Sequence, residues 1–343
     1  VAWRQPLPLS GRLGNARREE VARRDLVAQE ALALARQVEI EVRVAFVQYV
    51  VATRRAALAT RQVTLERSAL EQAEAAQVAG EVADVEVVAA RQRLAVAELF
   101  ADQSRGATLD AVHAIRRAVG DPTLLLGPPP ADWSPAAPPE APSDWRAWAR
   151  AHPFVQAATS EAWLAARRES AATSPEQDVE LRAGWRYEGI DEASLIDLRI
   201  LVPIPLFDRR DAARRAATAE AEAELAEQQR RFVALLSETT RDFERVQLAA
   251  STLARYDATL LPAAAAASAR AEESLRSGGG PLAGREAAQR QARRALIDQQ
   301  LDYWSAVEQY ATRVERLTVR LRPTYDPDAP AVARRRRTSS SSA

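Results

Sequence analysis

The sequence lacks cysteine, methionine and lysine, and its 343 residues include only two histidines. Without cysteine, these residues form no disulfide, cysteine–zinc site, thiol nucleophile or thioether lipid anchor. His113 and His152 alone do not make a histidine-based metal site or catalytic triad. The glycines at 278–280 are not followed by the Lys-Ser/Thr of a P-loop, and no serine lies in a nucleophile elbow. We therefore expect no enzyme activity, no metal and no cofactor.

The chain also lacks an excess of charge of either sign, because its 47 basic and 47 acidic residues give a formal net charge of zero. Hence no overall field draws the chain to nucleic acid. Aromatic residues make up only 6% of the chain, and much of its 47% hydrophobic content is alanine. No run approaches the ~18 continuous apolar residues of a transmembrane helix. This composition favours long, closely packed helices over a bulky globular core.

Residues 15–78 contain neither proline nor glycine and consist mainly of good helix formers. They predict one helix of ~95 Å at 1.5 Å per residue. A second helix is predicted over 84–119, with Gly80 as the left-handed cap at the tip of a helical hairpin. Apolar residues seven positions apart predict a coiled-coil seam along the first helix: Val44, Val51, Leu58 and Leu65.

Residues 121–142 hold eight of the chain's 19 prolines and predict a semi-rigid connector. A helix is expected over 143–174, broken near His152 and Pro153. Residues 178–188 alternate between apolar and charged positions, and a second strand follows over 194–206. The resulting hairpin suits either a soluble sheet covered by helices or a membrane β-barrel with a polar lumen.

The third long helical run covers 211–277 and is interrupted only by Pro262. The kink expected at this proline is equally consistent with a gating role and with ordinary packing. Residues 278–281 turn the chain, and a last helix is predicted over 282–321. The tail after it is expected to be disordered.

The two halves of the chain match each other. The segment 6–12 aligns with 203–209 at an offset of 197, and 80–86 aligns with 280–286 at an offset of 200. We therefore predict two tandem repeats, each a strand pair followed by a very long antiparallel coiled-coil helical hairpin. The first copy lacks one strand and a helix, which we expect ~50 residues before Val1 in a longer protein.

Together, these motifs make the sequence similar to the TolC-type outer-membrane efflux proteins, the outer-membrane factors of tripartite cation and multidrug efflux systems. The resemblance covers all but the last ~20 residues. Four motifs carry it: a Pro-apolar-Pro-Leu strand end followed by arginine, seen twice; an Ala-His-Pro-x-Val-x-Ala-Ala helix start at 151–158; a Gly-x-apolar-Ala-x-x-Glu tip, seen twice; and Leu260-Leu261-Pro262.

The resemblance implies a mainly α fold with a small membrane β part, assembled as a homotrimer. Each protomer would contribute strands to one outer-membrane β-barrel and helices to a periplasmic α-barrel. The function implied is a passive exit duct in the outer membrane of a Gram-negative-type bacterium, whose partners are a periplasmic adaptor, an inner-membrane pump and outer-membrane lipid. The alternatives are a periplasmic adaptor, which would have a single long hairpin, and a soluble coiled-coil scaffold, which leaves the strands and the duplication unexplained.

On this basis the chain divides into seven segments. They are 1–12, the end of a first β-hairpin; 13–120, the first long helical hairpin, with its tip near 80; 121–145, a proline-rich equatorial connector; 146–175, a helix leading into the second repeat; 176–207, the second β-hairpin; 208–321, the second long helical hairpin, with its tip near 278–281; and 322–343, a disordered tail.

The resemblance also implies that residues at the periplasmic tips bind the adaptor. Gly80, Asp84 and Gly280 are candidates for docking the adaptor. Asp84, with Glu272 and Glu273, could instead contribute to an acidic constriction, or could be a solvated helix-surface charge.

The predicted strands carry a second set of candidates. Trp3, Trp185 and Tyr187 are either membrane-interface aromatics or ordinary strand-packing residues. No residue is assigned a catalytic, cofactor-binding or metal-binding role.

Overall fold

A computed structural model of the chain describes residues 2–7, 12–173, 179–188, 193–201, 211–278 and 282–322. The predicted tail beyond 322 lies outside them. The elements are β1 (Ala2–Leu7), α1 (Arg12–Val78), α2 (Asp84–Val119), α3 (Trp145–Ala151), α4 (Pro153–Thr173), β2 (Val179–Glu188), β3 (Ala193–Leu201), α5 (Asp211–Arg255), α6 (Leu261–Ser277) and α7 (Leu282–Leu321).

These elements fall into two compact units. One takes in Val1–Leu34 and Ser143–Ser237, and the other Ala35–Pro142 and Glu238–Arg322. The helix bounds agree with those predicted from composition, including the break between α3 and α4 at His152. Within the described helices, no stretch combines the length and apolarity needed to cross a bilayer.

The core of the second unit is built from valines and alanines on α1, α5 and α7. Val51 and Leu58 of the predicted seam are 1% and 6% exposed, so the seam faces the interior. The largest cluster consists of Val47, Val51, Val246, Leu253, Val307, Tyr310, Ala311, Val314 and Leu317. Small side chains allow such long helices to pack closely, which agrees with the alanine-rich composition.

Ion pairs fix how α7 lies against α1. Arg322 contacts Glu39 at 2.7 Å and Glu315 contacts Arg43 at 2.7 Å, and further along the same two helices Arg294 holds the almost fully buried Glu66. Residue numbers rise on one helix as they fall on the other, so α1 and α7 are antiparallel neighbours. Arg67–Glu98 and Arg91–Glu74 pairs join α1 to α2 on its other flank.

The proline-rich segment 121–142 is held by side chains of three helices. Prolines donate no backbone hydrogen bond but keep their carbonyl oxygens, and donors from the helices reach carbonyls along this segment. Burial raises the pKa of the Tyr310 hydroxyl, which therefore stays protonated as a donor. The bonds are Arg116 Nε to Leu124 O (3.0 Å), Tyr49 OH to Gly127 O (2.8 Å), Arg54 Nη2 to Ala131 O (2.7 Å) and Tyr310 OH to Ala136 O (3.1 Å). The segment therefore spans α2, α1 and α7 in turn.

Pro262 lies at the start of α6, directly after a π-helical turn over Tyr256–Leu260. In that turn the Leu261 N–H donates to the Tyr256 carbonyl, five residues back. A proline cannot donate to the carbonyl four residues before it and its ring crowds that group, so the wider turn accommodates it. The expected interruption is therefore a π-turn.

In the first unit, α4 packs beside α5. Val155, Ala149 and Leu235 form its buried cluster, with Trp148 and Phe232 against them. The start of α4 is capped by His152, whose Nδ1 accepts from the Phe154 N–H at 3.2 Å. This contact satisfies one of the free N–H groups at the start of α4, and the extended backbone of His152 separates α4 from α3.

Leu317 tests the core of the second unit, because its side chain is fully buried. Leu317→Ala should lower the free energy of unfolding by about 2–5 kcal/mol, since it leaves a cavity. Leu125→Ala is the matched control: Leu125 is 88% exposed, so the loss should stay below about 0.5 kcal/mol. Urea unfolding followed by circular dichroism measures both. Equal losses would contradict the assigned core.

Candidate functional sites

The three strands form one antiparallel sheet in the order β1-β2-β3. In register, Ala183 of β2 pairs with Trp3 of β1 and with Leu198 of β3. Trp185 pairs with Ile196, and Tyr187 with Ser194. The register therefore puts the three aromatic candidates at rows of one face, Trp3 on an edge strand and the other two on the central strand.

The two faces of this sheet differ in chemistry. The face that holds Ala183 also holds Leu181, Leu198 and Ile200, and Leu198 and Ile200 are each 65% exposed. The opposite face carries charged positions, including Arg182 and Arg199. A soluble sheet would cover its apolar face with helices, whereas here apolar side chains of β3 remain uncovered in the single chain. The alternation suits contact with lipid on one side and water on the other.

The first hairpin tip is a Schellman turn around Gly80. Gly80 has φ +77°, its N–H donates to Gln77 O at 2.9 Å, and the Glu81 N–H donates to Ala76 O at 2.9 Å. Asp84 begins α2 and accepts from Gln77 Nε2 at 2.5 Å, which links the two helices of the hairpin. Its carboxylate also lies favourably at the positive end of α2. The sequence motif thus corresponds to a tip that is capped by Gly80 and held by a hydrogen bond between its two helices.

The second tip differs in detail. Gly278, with φ +78°, is the left-handed cap of α6, whereas Gly280 lies outside the described residues. The guanidinium of Arg285 donates to the carbonyls of Ser274 and Leu275 at 3.2 and 3.0 Å, satisfying the end of α6. No local pattern in the sequence indicates this role of Arg285, because its partners lie ten or more residues earlier.

Of the acidic candidates, Glu272 pairs with Arg293 of α7 at 3.0 Å. Glu273 is exposed. One member of the suggested acidic constriction is therefore engaged within its own hairpin. Whether Asp84 and Glu273 line a constriction stays a prediction.

Helix α2 has a second apolar stripe. Ala111 and Ile115 are buried against Ala45 and Tyr49 of α1. At 100° per residue, a set of exposed residues is centred ~120° around α2 from these two buried residues. These residues, the α2 stripe, are Val85, Val88, Val96 and Leu99, which are 70%, 50%, 68% and 60% exposed.

Helix α6 shows the complementary character. Its buried side is marked by Ser268, and Ala263 and Ala267 lie on the other, exposed side. This side, the α6 alanine face, is smooth because its residues are small. Helix α6 contacts α7. Because Val85, Val88, Val96 and Leu99 are at least half exposed, and Ala263 and Ala267 are exposed as well, the α2 stripe and the α6 alanine face are both open in one chain.

A groove of about 520 Å³ lies between α1 and α2 in the second unit. Charges of both signs line it, including Arg55, Arg117, Asp110 and Glu308. Over the described ranges, no group of acidic or histidine side chains could hold a metal ion. The open apolar faces and the two tips are therefore the features to which a function can be assigned.

The sequence matches no family model and no curated protein. Its fold, however, matches solved outer-membrane channels. The CmeC outer membrane channel of Campylobacter jejuni has a TM-score of 0.79 at 10% identity, with 97% of this chain and 72% of that one covered. The outer-membrane channel OprN has a TM-score of 0.77 at 20% identity, covering 93% and 74%. The MtrE outer membrane channel of Neisseria gonorrhoeae, in its open state, has a TM-score of 0.71 at 14% identity. The match covers 94% of this chain and 78% of that one. The chain has the TolC-type outer-membrane factor fold.

Substituting alanine for Gly80 and for Gly106 should change the free energy of unfolding in opposite directions. A Cβ at either position would meet no atom within 4 Å, so space plays no part. Gly80→Ala should lower the free energy of unfolding by about 1 kcal/mol, because alanine is strained at positive φ. Gly106 lies inside α2, where alanine should raise stability by about 0.5–1 kcal/mol. Thermal unfolding of the two variants and the wild type measures both changes. A Gly80→Ala protein more stable than the wild type would contradict the left-handed cap at Gly80.

Proposed function

We propose that this chain is the subunit of an outer-membrane exit duct in a tripartite efflux or secretion system. It conducts substrates passively from a periplasmic adaptor and an inner-membrane pump to the outside. One observation carries the proposal: a chain with the fold of outer-membrane channels leaves apolar faces open both on its sheet and on its helices. The energy for transport comes from the pump.

The sheet supports the membrane end of this duct. The three strands that the structure describes leave two open edges, and unpaired backbone groups are not tolerated in hydrocarbon. Copies of the chain must therefore close the sheet, with the Leu198 and Ile200 face toward lipid. The rows of Trp3, Trp185 and Tyr187 belong to that face, which suits aromatic anchors at the membrane interface.

The helices support a homotrimer closed in the same way. The α2 stripe of one copy packs on the α6 alanine face of the next, as apolar side chains fill a smooth surface. The two surfaces lie at matching distances from the hairpin tips, because Val96 and Ala263 are nearly equally far along the chain from the caps Gly80 and Gly278. The α2 helix runs away from its tip and α6 runs toward its own, so the two would meet antiparallel.

The hairpin tips then form the periplasmic end. Gly80, Asp84 and Gly280 are the residues we assign to adaptor docking. The two hairpins, 13–120 and 208–321, would stand side by side as repeats, with 121–145 as the equatorial connector. A periplasmic adaptor is not favoured, since it needs one hairpin only. A soluble scaffold would have no use for the uncovered sheet.

Leu99 and Leu109 offer a direct test of the trimer. Both are on α2 and similarly exposed, at 60% and 62%, but they lie ~80° apart around the helix, and only Leu99 belongs to the α2 stripe. In the protein as its gene encodes it, Leu99→Glu should convert trimers to monomers, because it places a charge in a packed interface. Leu109→Glu should leave the trimer intact.

The measurement is the mass of the detergent-solubilised protein together with its cell fraction. The proposal expects a trimer in the outer-membrane fraction for the wild type and for Leu109→Glu. A soluble monomeric wild-type protein would refute the proposal, and equal behaviour of the two variants would refute the assigned interface.

A further inference from the structure

Three arginines stand in register across the sheet. Arg182 at the centre pairs with Arg4 of β1 and with Arg199 of β3. We call these positions the arginine row. They belong to the face opposite Leu198 and Ile200. The neighbouring rows of the same face hold Ala2, Gly184 and Asp197 on one side, and Pro6, Glu180 and Leu201 on the other.

Stability of the sheet does not account for this row. Like charges directly opposite each other on neighbouring strands destabilise the pairing, and here two such pairs occur side by side. Arg182 and Arg199 have interaction partners within the chain. Even so, the two flanking carboxylates, of Asp197 and Glu180, balance only two of the three arginines. A surplus positive charge therefore stays in this band of each copy.

We propose that the arginine row forms a basic band in the barrel lumen that favours anionic solutes, those with carboxylate or phosphate groups, over cations. The inference rests on the proposed function, since it requires the barrel. When the apolar face meets lipid, the face of the arginine row lines the lumen. A three-fold axis repeats each arginine at one height, and rings of basic side chains give pores a preference for anions. Guanidinium groups bind carboxylates and phosphates through paired hydrogen bonds.

Arg182 and Arg186 provide a matched comparison. Both are on β2 and share a face, but Arg186 pairs with Leu195 and stands outside the arginine row. Arg182→Gln and Arg186→Gln remove the same charge. The wild-type protein as its gene encodes it and both variants are reconstituted in planar bilayers. Reversal potentials in a gradient of dilute KCl then give the permeability ratio of chloride to potassium. Dilute salt is used because screening weakens the effect.

We expect Arg182→Gln to lower this ratio about threefold and Arg186→Gln to change it by less than half as much. Inorganic phosphate added on the barrel side should reduce the wild-type current and affect Arg182→Gln less. Should Arg182→Gln fail to insert, Arg199→Gln on the edge strand decides by the same criterion.

The outcomes separate this inference from the function on which it rests. A wild-type channel that conducts while Arg182→Gln keeps the wild-type ratio overturns the arginine row alone. Equal effects of Arg182→Gln and Arg186→Gln overturn it as well, since any lost charge would then suffice. A wild-type protein that forms no conducting channel contradicts the proposed function and the inference together.

Discussion

Lateral burial of apolar stripes is the constraint on which this structure depends. A long helix has too little width to bury its own stripe, so each one needs neighbours on its flanks. In this chain α1 has α2 on one flank and α7 on the other, fixed by pairs such as Glu66–Arg294. The outer helices α2 and α6 keep one open flank each, and the sheet keeps an open apolar face. The same requirement, unmet within one chain, is the physical ground for the proposal that several copies close into one assembly.

The proline-rich segment solves a second problem in the same array. Coiled-coil helices with small side chains slide easily along one another, because alanine faces offer few interlocking features. A connector without regular structure crosses three of them and receives donors from Tyr49, Arg54 and Tyr310. Its composition makes this possible, since the many carbonyls are not engaged in a ladder of their own. The segment thereby ties the helices together at one level.

Local chemistry in the sequence was enough to predict the helices, the strands and the break at His152. Helix formers without glycine or proline indicated α1, and strict alternation indicated β2. Pro262 signalled an interruption but not the π-turn before it, because the sequence does not say which turn will widen. The partners of Tyr310 and Glu66 lie far away along the chain, and no local pattern encodes such pairings. The tip motif indicated Gly80, while the cap at Gly278 depends on backbone geometry that a motif alignment does not resolve.

Packing of α2 of one copy on α6 of the next is proposed above, and it can be measured directly because these residues contain no cysteine. Val96→Cys and Ala263→Cys, introduced together, place one thiol on the α2 stripe and one on the α6 alanine face, in a sequence of 343 residues that has no other cysteine. Treatment of cells with a short bis-maleimide should then yield a covalent trimer on a denaturing gel, and neither single variant should yield one. Monomers alone from the double variant, at an expression level matching the wild type, would contradict the claim.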